Sequence, residues 1–185
     1  MSAKNCELRI IGGVWRSRRI RFADRPGLRP TPDRVRETLF NWLGQDLSGR
    51  DCLDLFAGSG ALGFEAASRG ARRVLMVERD AAALRALQSS KAQLQAAMVE
   101  VLRADALEFL RHHPASYDVV FLDPPFADDC WAQLLKLLPQ CLKPGALVYC
   151  ERAEKLDAGP GWSILKAARA GQVSYQLLKR AEHEQ

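Results

Sequence analysis

The chain lacks any apolar run long enough to cross a bilayer: its uninterrupted apolar stretches are strand-sized, against the roughly 20 residues a membrane helix requires. It also lacks a C-x-x-C pair, and its five cysteines, at 6, 52, 130, 141 and 150, are odd in number and scattered through apolar segments. That spacing argues against a disulfide framework or a zinc site and predicts reduced, mostly buried thiols. Histidine is scarce; His112 and His113 precede Pro114 with no third ligand evident, so no metal is expected. The start, Met1 to Glu7, has no apolar h-region, which predicts a cytosolic, soluble protein without a secretory signal. Internal repeats and low-complexity segments are missing as well.

What the chain does have is 185 residues of 48% apolar composition, enough for one substantial core and a short appendage. Its charge is unevenly spread. Residues 1–36 hold ten basic side chains and three acids, a net +7 within a chain whose total is +5, so the remainder is about −2. A basic head on a near-neutral body predicts a polyanion held at one side.

Within that head, Leu8–Ile11 and Arg19–Phe22 alternate charged and apolar residues around Gly12-Gly13, the pattern of two short strands in a hairpin-like arm with arginines along one face. Trp15 among Arg16, Arg18 and Arg19 mixes cations with an aromatic plane, which suits phosphate contact and base stacking, although a single Trp more often packs. Thr31 and Pro32 read as the N-cap and first position of a helix whose apolar face is Val35, Leu39, Trp42 and Leu43, with Gly44 as its stop. The first turn would present Arg29, Thr31 and Arg34 toward the site.

From Asp51 onward strands alternate with helices: strands over Cys52–Phe56, Arg73–Glu78, Val99–Arg103, Tyr117–Leu122 and Ala146–Cys150, helices over Leu62–Arg69, Asp80 to about Ala97, Ala106–Arg111 and Trp131–Leu138. Alternating βα units predict a doubly wound, mostly parallel α/β sheet. Lys143-Pro144-Gly145 reads as a turn. The end differs: Trp162–Ala168 and Gln172–Lys179, parted by Ala170-Gly171, read as an antiparallel pair at the sheet edge.

The chain is organised around Asp54–Gly63, an apolar run ending in a carboxylate, then a glycine turn, then a helix start. This is how a buried strand hands over to a helix beneath a bound nucleotide. Gly58, Gly60 and Gly63 also satisfy the dinucleotide fingerprint G-x-G-x-x-G, so the loop alone admits NAD and an oxidoreductase. The closing hairpin argues against a dehydrogenase sheet. Four acids, Asp54, Glu78, Asp105 and Asp123, stand at or just past successive strand ends and would gather along one edge. Glu78 is placed for a ribose hydroxyl pair, Asp54 for the amino end of an amino-acid ligand, and Asp105 for an adenine amine with the Ala106 N–H on a ring nitrogen. This set suits S-adenosylmethionine better than a dinucleotide, because nothing cationic is reserved for a pyrophosphate. Asp123-Pro124-Pro125-Phe126 is the sharpest signal: two prolines stiffen the turn and remove two donors, leaving the Asp123 carboxylate and Pro124 carbonyl as fixed acceptors beside the stacking plane of Phe126. Acceptors with a stacking face suit the exocyclic amine of a nucleobase.

The D-P-P-F tetrad resembles that of amino-directed, S-adenosylmethionine-dependent methyltransferases. More narrowly, Arg9–Gly13, Leu28–Thr31 with Asp33–Asn41, Asp54–Gly60, and Ala170–Val173 with Tyr175 resemble the RsmD family of guanine-N2 methyltransferases acting on 16S ribosomal RNA. One departure is Ser17, where glycine is expected. The resemblance implies a Rossmann-like methyltransferase fold with a seven-stranded sheet at 46–185 and a basic RNA-binding extension at 1–45. It implies cofactor contacts from Asp54, Phe56, Ala57, Gly58, Ser59, Gly60, Glu78, Arg79, Asp105 and Ala106, and catalysis by Asp123, Pro124 and Phe126. RNA contacts would come from Arg9, Arg16, Arg18, Arg19, Arg29, Thr31 and Arg34. The expected partner is ribosomal RNA or the small ribosomal subunit, with no membrane association and a monomeric enzyme. The alternatives are a DNA N6-adenine methyltransferase and a non-catalytic RNA-binding assembly factor.

Overall fold

The computed structural model describes residues 5–24, 29–113, 115–125 and 130–181. The basic head forms a two-stranded antiparallel arm, β1 (Asn5–Arg9) and β2 (Arg19–Ala23). Alternation sets its faces: Ile20 and Phe22 are buried, while Arg19 and Arg21 face outward and both pair with Glu7 on the opposite strand at 3.3 Å. Helix α1 (Asp33–Leu43) follows and stops at Gly44, whose φ of 93° provides the left-handed cap.

The main body alternates as expected: β3 (Asp51–Asp54), α2 (Ala61–Ser68), β4 (Arg73–Glu78), α3 (Ala81–Leu94), β5 (Val99–Arg103), α4 (Ala106–His112), β6 (Tyr117–Leu122) and α5 (Trp131–Leu137). A 3-10 turn over Leu138–Cys141 leads into β7 (Leu142–Arg152), and β8 (Trp162–Ala170) and β9 (Val173–Arg180) close the sheet. The seven strands lie in the order β5-β4-β3-β6-β7-β9-β8, parallel from β5 to β7, with β9 inserted antiparallel beside β7 and β8 on the edge. The order reverses between β3 and β6, and in such sheets ligands bind beyond the carboxyl ends of the strands at that point.

Period-2 alternation divides the core. Cys52, Met76, Phe121 and Tyr149 face the layer built by the arm, α1, α2 and α3, whereas Leu53, Leu75, Val120 and Val148 face α4 and α5. Both faces are covered, which is why the parallel strands read as continuous apolar runs. The arm is part of the first layer rather than a free tail: Leu8, Ile10, Trp15, Ile20 and Phe22 join its core cluster. The Ser90 hydroxyl and the Gln93 amide of α3 donate to the β2 carbonyls of Arg21 and Arg19.

Two local expectations are corrected, and Trp15 takes the packing role of the two open to it. Pro32, extended at ψ 150°, occupies the cap position of α1 without a side-chain bond, so the helix begins at Asp33 and the Thr31 hydroxyl goes elsewhere. Trp15 is 8% exposed and packs in the core, as a single Trp more often does: Val14 N and Trp15 N donate to the Ser68 carbonyl and hydroxyl, and the ring is no stacking platform. Lys143-Pro144-Gly145 is no turn between elements: β7 runs through it as an irregularity, its register against β6 jumping from Tyr117↔Leu142 to Val119↔Leu147. No helix among the described residues is long and apolar enough to cross a membrane.

Candidate active site

The glycine loop links β3 to α2 through two tight steps. Leu55 N donates to the Phe121 carbonyl at 3.2 Å and Ala57 N to the Val77 carbonyl at 3.0 Å, which ties the loop to both neighbouring strands. Gly60 then turns at φ +79°, where an added Cβ would stand 2.6 Å from Phe64 and 2.7 Å from Leu87. At Gly63 an added Cβ would stand 2.4 Å from Met76, so α2 approaches β4 as closely as a glycine permits. Ala57 and Ser59 are buried behind the loop, while Phe56 and Gly58 are half-buried at its mouth.

Asp54 ends β3 on the face toward α2, 2% exposed, and its Oδ2 accepts from Gly63 N at 3.0 Å. Burial pushes its carboxyl up to about 7, offset in part by that backbone donor and reinforced by the charge of Glu78. Glu78, at the end of β4, accepts from Gly58 N and Asp80 N, each at 2.8 Å and each on a different oxygen. It therefore locks the glycine loop to the start of α3 while each oxygen keeps a second lone pair. Arg79 is exposed next to it. Asp105 caps α4: its Oδ1 accepts from Leu107 N at 2.9 Å and Glu108 N at 3.2 Å, and the Ala106 N–H, at the first helical position, has no intrahelical acceptor by geometry.

Asp123 follows β6 and is half-buried, with Pro124 buried and Pro125 exposed. Its carboxyl is raised well above the usual range, first by burial, then by the negative charges of Glu151 and Asp54. Phe126 lies outside the described residues.

Glu151 was not anticipated. It stands near the end of β7, 5% exposed, with Oε2 accepting from the Tyr149 hydroxyl at 2.8 Å and the Thr31 hydroxyl at 3.3 Å. The signal was available, since Glu151 directly follows the apolar run Ala146–Cys150 at the same edge as the other four acids. Asp54, Asp123 and Glu151 thus meet where the sheet order reverses, beneath the segment leading into α1. Among the described residues no group of three His, Cys, Asp or Glu side chains is placed to hold a metal ion.

The arginines of the head divide. Arg9 pairs with Asp33 and Arg19 with Glu7, both at 3.3 Å, and Arg18 donates to the Gln93 carbonyl at 3.0 Å. Arg16, Arg29 and Arg34 lie exposed. Sequence reasoning also missed Arg36, which is 1% exposed. It donates to Glu65 Oε2 at 3.1 Å, to the Arg9 carbonyl at 2.9 Å and to the Thr31 carbonyl at 3.1 Å. Glu65 in turn accepts from Ile11 N and Gly12 N, at 3.0 and 2.8 Å. A buried charge pair therefore rivets the arm, α1 and α2 together.

A doubly wound sheet with an inserted antiparallel strand, a glycine loop after its first strand and an acid-lined carboxyl edge defines a protein of the Rossmann-like methyltransferase class. Comparison with known proteins narrows this: residues 8–179 match the family described as Conserved hypothetical protein 95, and the chain belongs to that family, the RsmD-like family. It is 43% identical to ribosomal RNA small subunit methyltransferase D of Escherichia coli K12 over 94% of this chain and 90% of that one. It is likewise 43% identical to the protein of the same name from Haemophilus influenzae Rd, over 92% and 93%. The solved structure of Escherichia coli yhhF superposes with a TM-score of 0.86 at 42% identity, covering 95% of this chain and 98% of that one.

Proposed function

We propose that this protein transfers a methyl group from S-adenosylmethionine to the exocyclic N2 of a guanine in small-subunit ribosomal RNA. The relatives' names support methyl transfer to that RNA. The observation that carries the base-directed chemistry is the position of Asp123-Pro124, immediately past β6 and beside Asp54 at the reversal of the sheet order.

The donor set fits this cofactor. Glu78 has lone pairs left for the ribose hydroxyls after its two backbone bonds, Asp54 is a buried acceptor for the amino end, and the second oxygen of Asp105 with the Ala106 N–H suits an adenine edge. When bound, S-adenosylmethionine supplies an electrophilic methyl group on a sulfonium. The chain's own work is positioning: Asp123 and the Pro124 carbonyl accept the N–H groups of the exocyclic amine and aim its nitrogen, a contribution that exact placement can make large without a strong base. Phe126 would stack on the base. The exposed Arg16, Arg29 and Arg34, with the outer face of the arm, would take phosphates, so RNA affinity should fall as salt rises.

The test is transfer of labelled methyl to unmodified small-subunit RNA, to assembled small subunits and to duplex DNA. Label on RNA or subunits is expected. Label on DNA alone would favour the adenine reading, and RNA binding with no cofactor affinity would favour an assembly factor.

A further inference from the structure

Strands β6 and β7 run parallel with Leu122 opposite Cys150, so the next residues of each, Asp123 and Glu151, come side by side on neighbouring strands about 4.8 Å apart. Phe121 and Tyr149 face the α1 layer, and alternation sends Asp123 and Glu151 the same way. The two carboxyls are not equivalent. Glu151 Oε2 receives two hydroxyl donors, Tyr149 at 2.8 Å and Thr31 at 3.3 Å, while Oε1 accepts from no described residue. Asp123 receives no hydrogen bond from a described residue.

We propose that Glu151 is a positioning residue for the proton: it takes up, through Asp123, the proton that the exocyclic nitrogen sheds after methylation. This rests on the functional reading above. The C–N bond forms as the sulfonium S–CH3 bond breaks, its electron pair stays on sulfur, and the nitrogen is left with one proton too many. Asp123 accepts that proton on one oxygen and gives up a proton from its carboxyl to Glu151, which returns it to water. Glu151 is the member able to wait as a carboxylate, because the Tyr149 and Thr31 hydroxyls stabilise its charge. The charged and titratable groups facing the pair are Asp54 from β3, Tyr149 from β7, Tyr175 from β9 behind Tyr149, and Glu78 beyond Asp54. Burial raises both carboxyls of the pair; the charges of Glu151 and Asp54 raise Asp123 further, whereas the Tyr149 and Thr31 hydroxyls hold Glu151 back.

Glu151→Gln keeps an oxygen for both hydroxyl donors and removes the proton site. Single-turnover methylation should slow about 10- to 100-fold, at the low end of what proton transfer contributes, with cofactor Kd and RNA KM within about twofold of wild type. In the free protein, a carbon-13 NMR titration should find the Asp123 carboxyl ionising at lower pH, because its charged neighbour is gone. A Glu151→Gln enzyme with the wild-type rate, or an unmoved Asp123 titration, overturns the proposal. If wild type itself transfers no methyl to small-subunit RNA, the functional reading falls and this inference with it. Thr31→Val with Tyr149→Phe gives a second route: without its donors Glu151 ionises at higher pH, so the acidic limb of the rate profile should move up. A purely packing role would lower Tm and leave that limb in place, which also overturns the proposal.

Discussion

The Arg36 guanidinium lies 3.1 Å from the Glu65 carboxylate, and neither side chain is more than 1% exposed. Glu65 has two further donors from the arm backbone and one from Arg69, so its charge is fully compensated only while the arm is docked. Removing Arg36 leaves Glu65 buried with Arg69 as its one remaining cation and takes the donor from the Arg9 and Thr31 carbonyls. Arg36→Met should cost about 3–5 kcal/mol of unfolding free energy, measured in urea. A loss below about 1 kcal/mol would mean that the pair is not what holds arm, α1 and α2 together.

Asp54 makes stability fall with pH. Its ordinary value is 3.8 and burial raises it to about 7 in the fold, so between those values the native state binds the extra proton and unfolding becomes easier as pH rises. The stability present below pH 4 is lost by about pH 7, a few kcal/mol in all. Asp54→Asn, which can still accept from Gly63, should flatten that decline, although Asp123 and Glu151 shift in the same direction and leave part of it. The same variant should bind S-adenosylmethionine more weakly. Unfolding curves from pH 4 to 8 that coincide for the two proteins would refute the assignment of the raised group.

Gly13 is where the arm touches α2: at φ +74°, an added Cβ would stand 1.8 Å from the Ser68 carbonyl oxygen. Backbone cannot yield as a flexible side chain can. Gly13→Ala should therefore shift the arm and lower RNA affinity several-fold while leaving cofactor affinity unchanged, as titrations at fixed ionic strength would show. A parallel loss of both would place the arm in the cofactor site instead.

Ser17 holds φ 70°, a left-handed conformation that costs a residue with a Cβ. The RsmD-like pattern has glycine at this position, and the positive φ is the physical reason. Ser17→Gly should stabilise the protein by about 0.5–1 kcal/mol, seen as a rise of about 1–4 °C in Tm. A lower Tm would show that the hydroxyl contributes more than the strain.

Much of this was legible in the sequence, for identifiable reasons. Arg73–Glu78 and Tyr117–Leu122 have the bounds expected of them, because strands covered on both faces are apolar runs with abrupt ends, and the edge strand Val99–Arg103 has its expected bounds too. Asp80 caps α3 as expected, since an N-cap is a local interaction. What escaped was non-local. Thr31 looked like a helix cap because Pro follows it; only the fold brings its hydroxyl to Glu151, 120 positions away. Arg36 lies among helix-face residues and gives no local sign that its charge is buried against Glu65. Asp105, read in the sequence as an adenine contact, has one oxygen committed to capping α4, a local interaction that its position before Ala106 left open.

The central claim is that Asp123 presents the exocyclic amine of a guanine to a methyl donor. Small-subunit RNA labelled by the wild-type protein, digested to nucleosides and resolved by mass spectrometry, should carry the methyl on guanine N2, and Asp123→Ala should reduce that product by at least about 100-fold. Label on another nucleoside, or full activity in Asp123→Ala, would contradict the account.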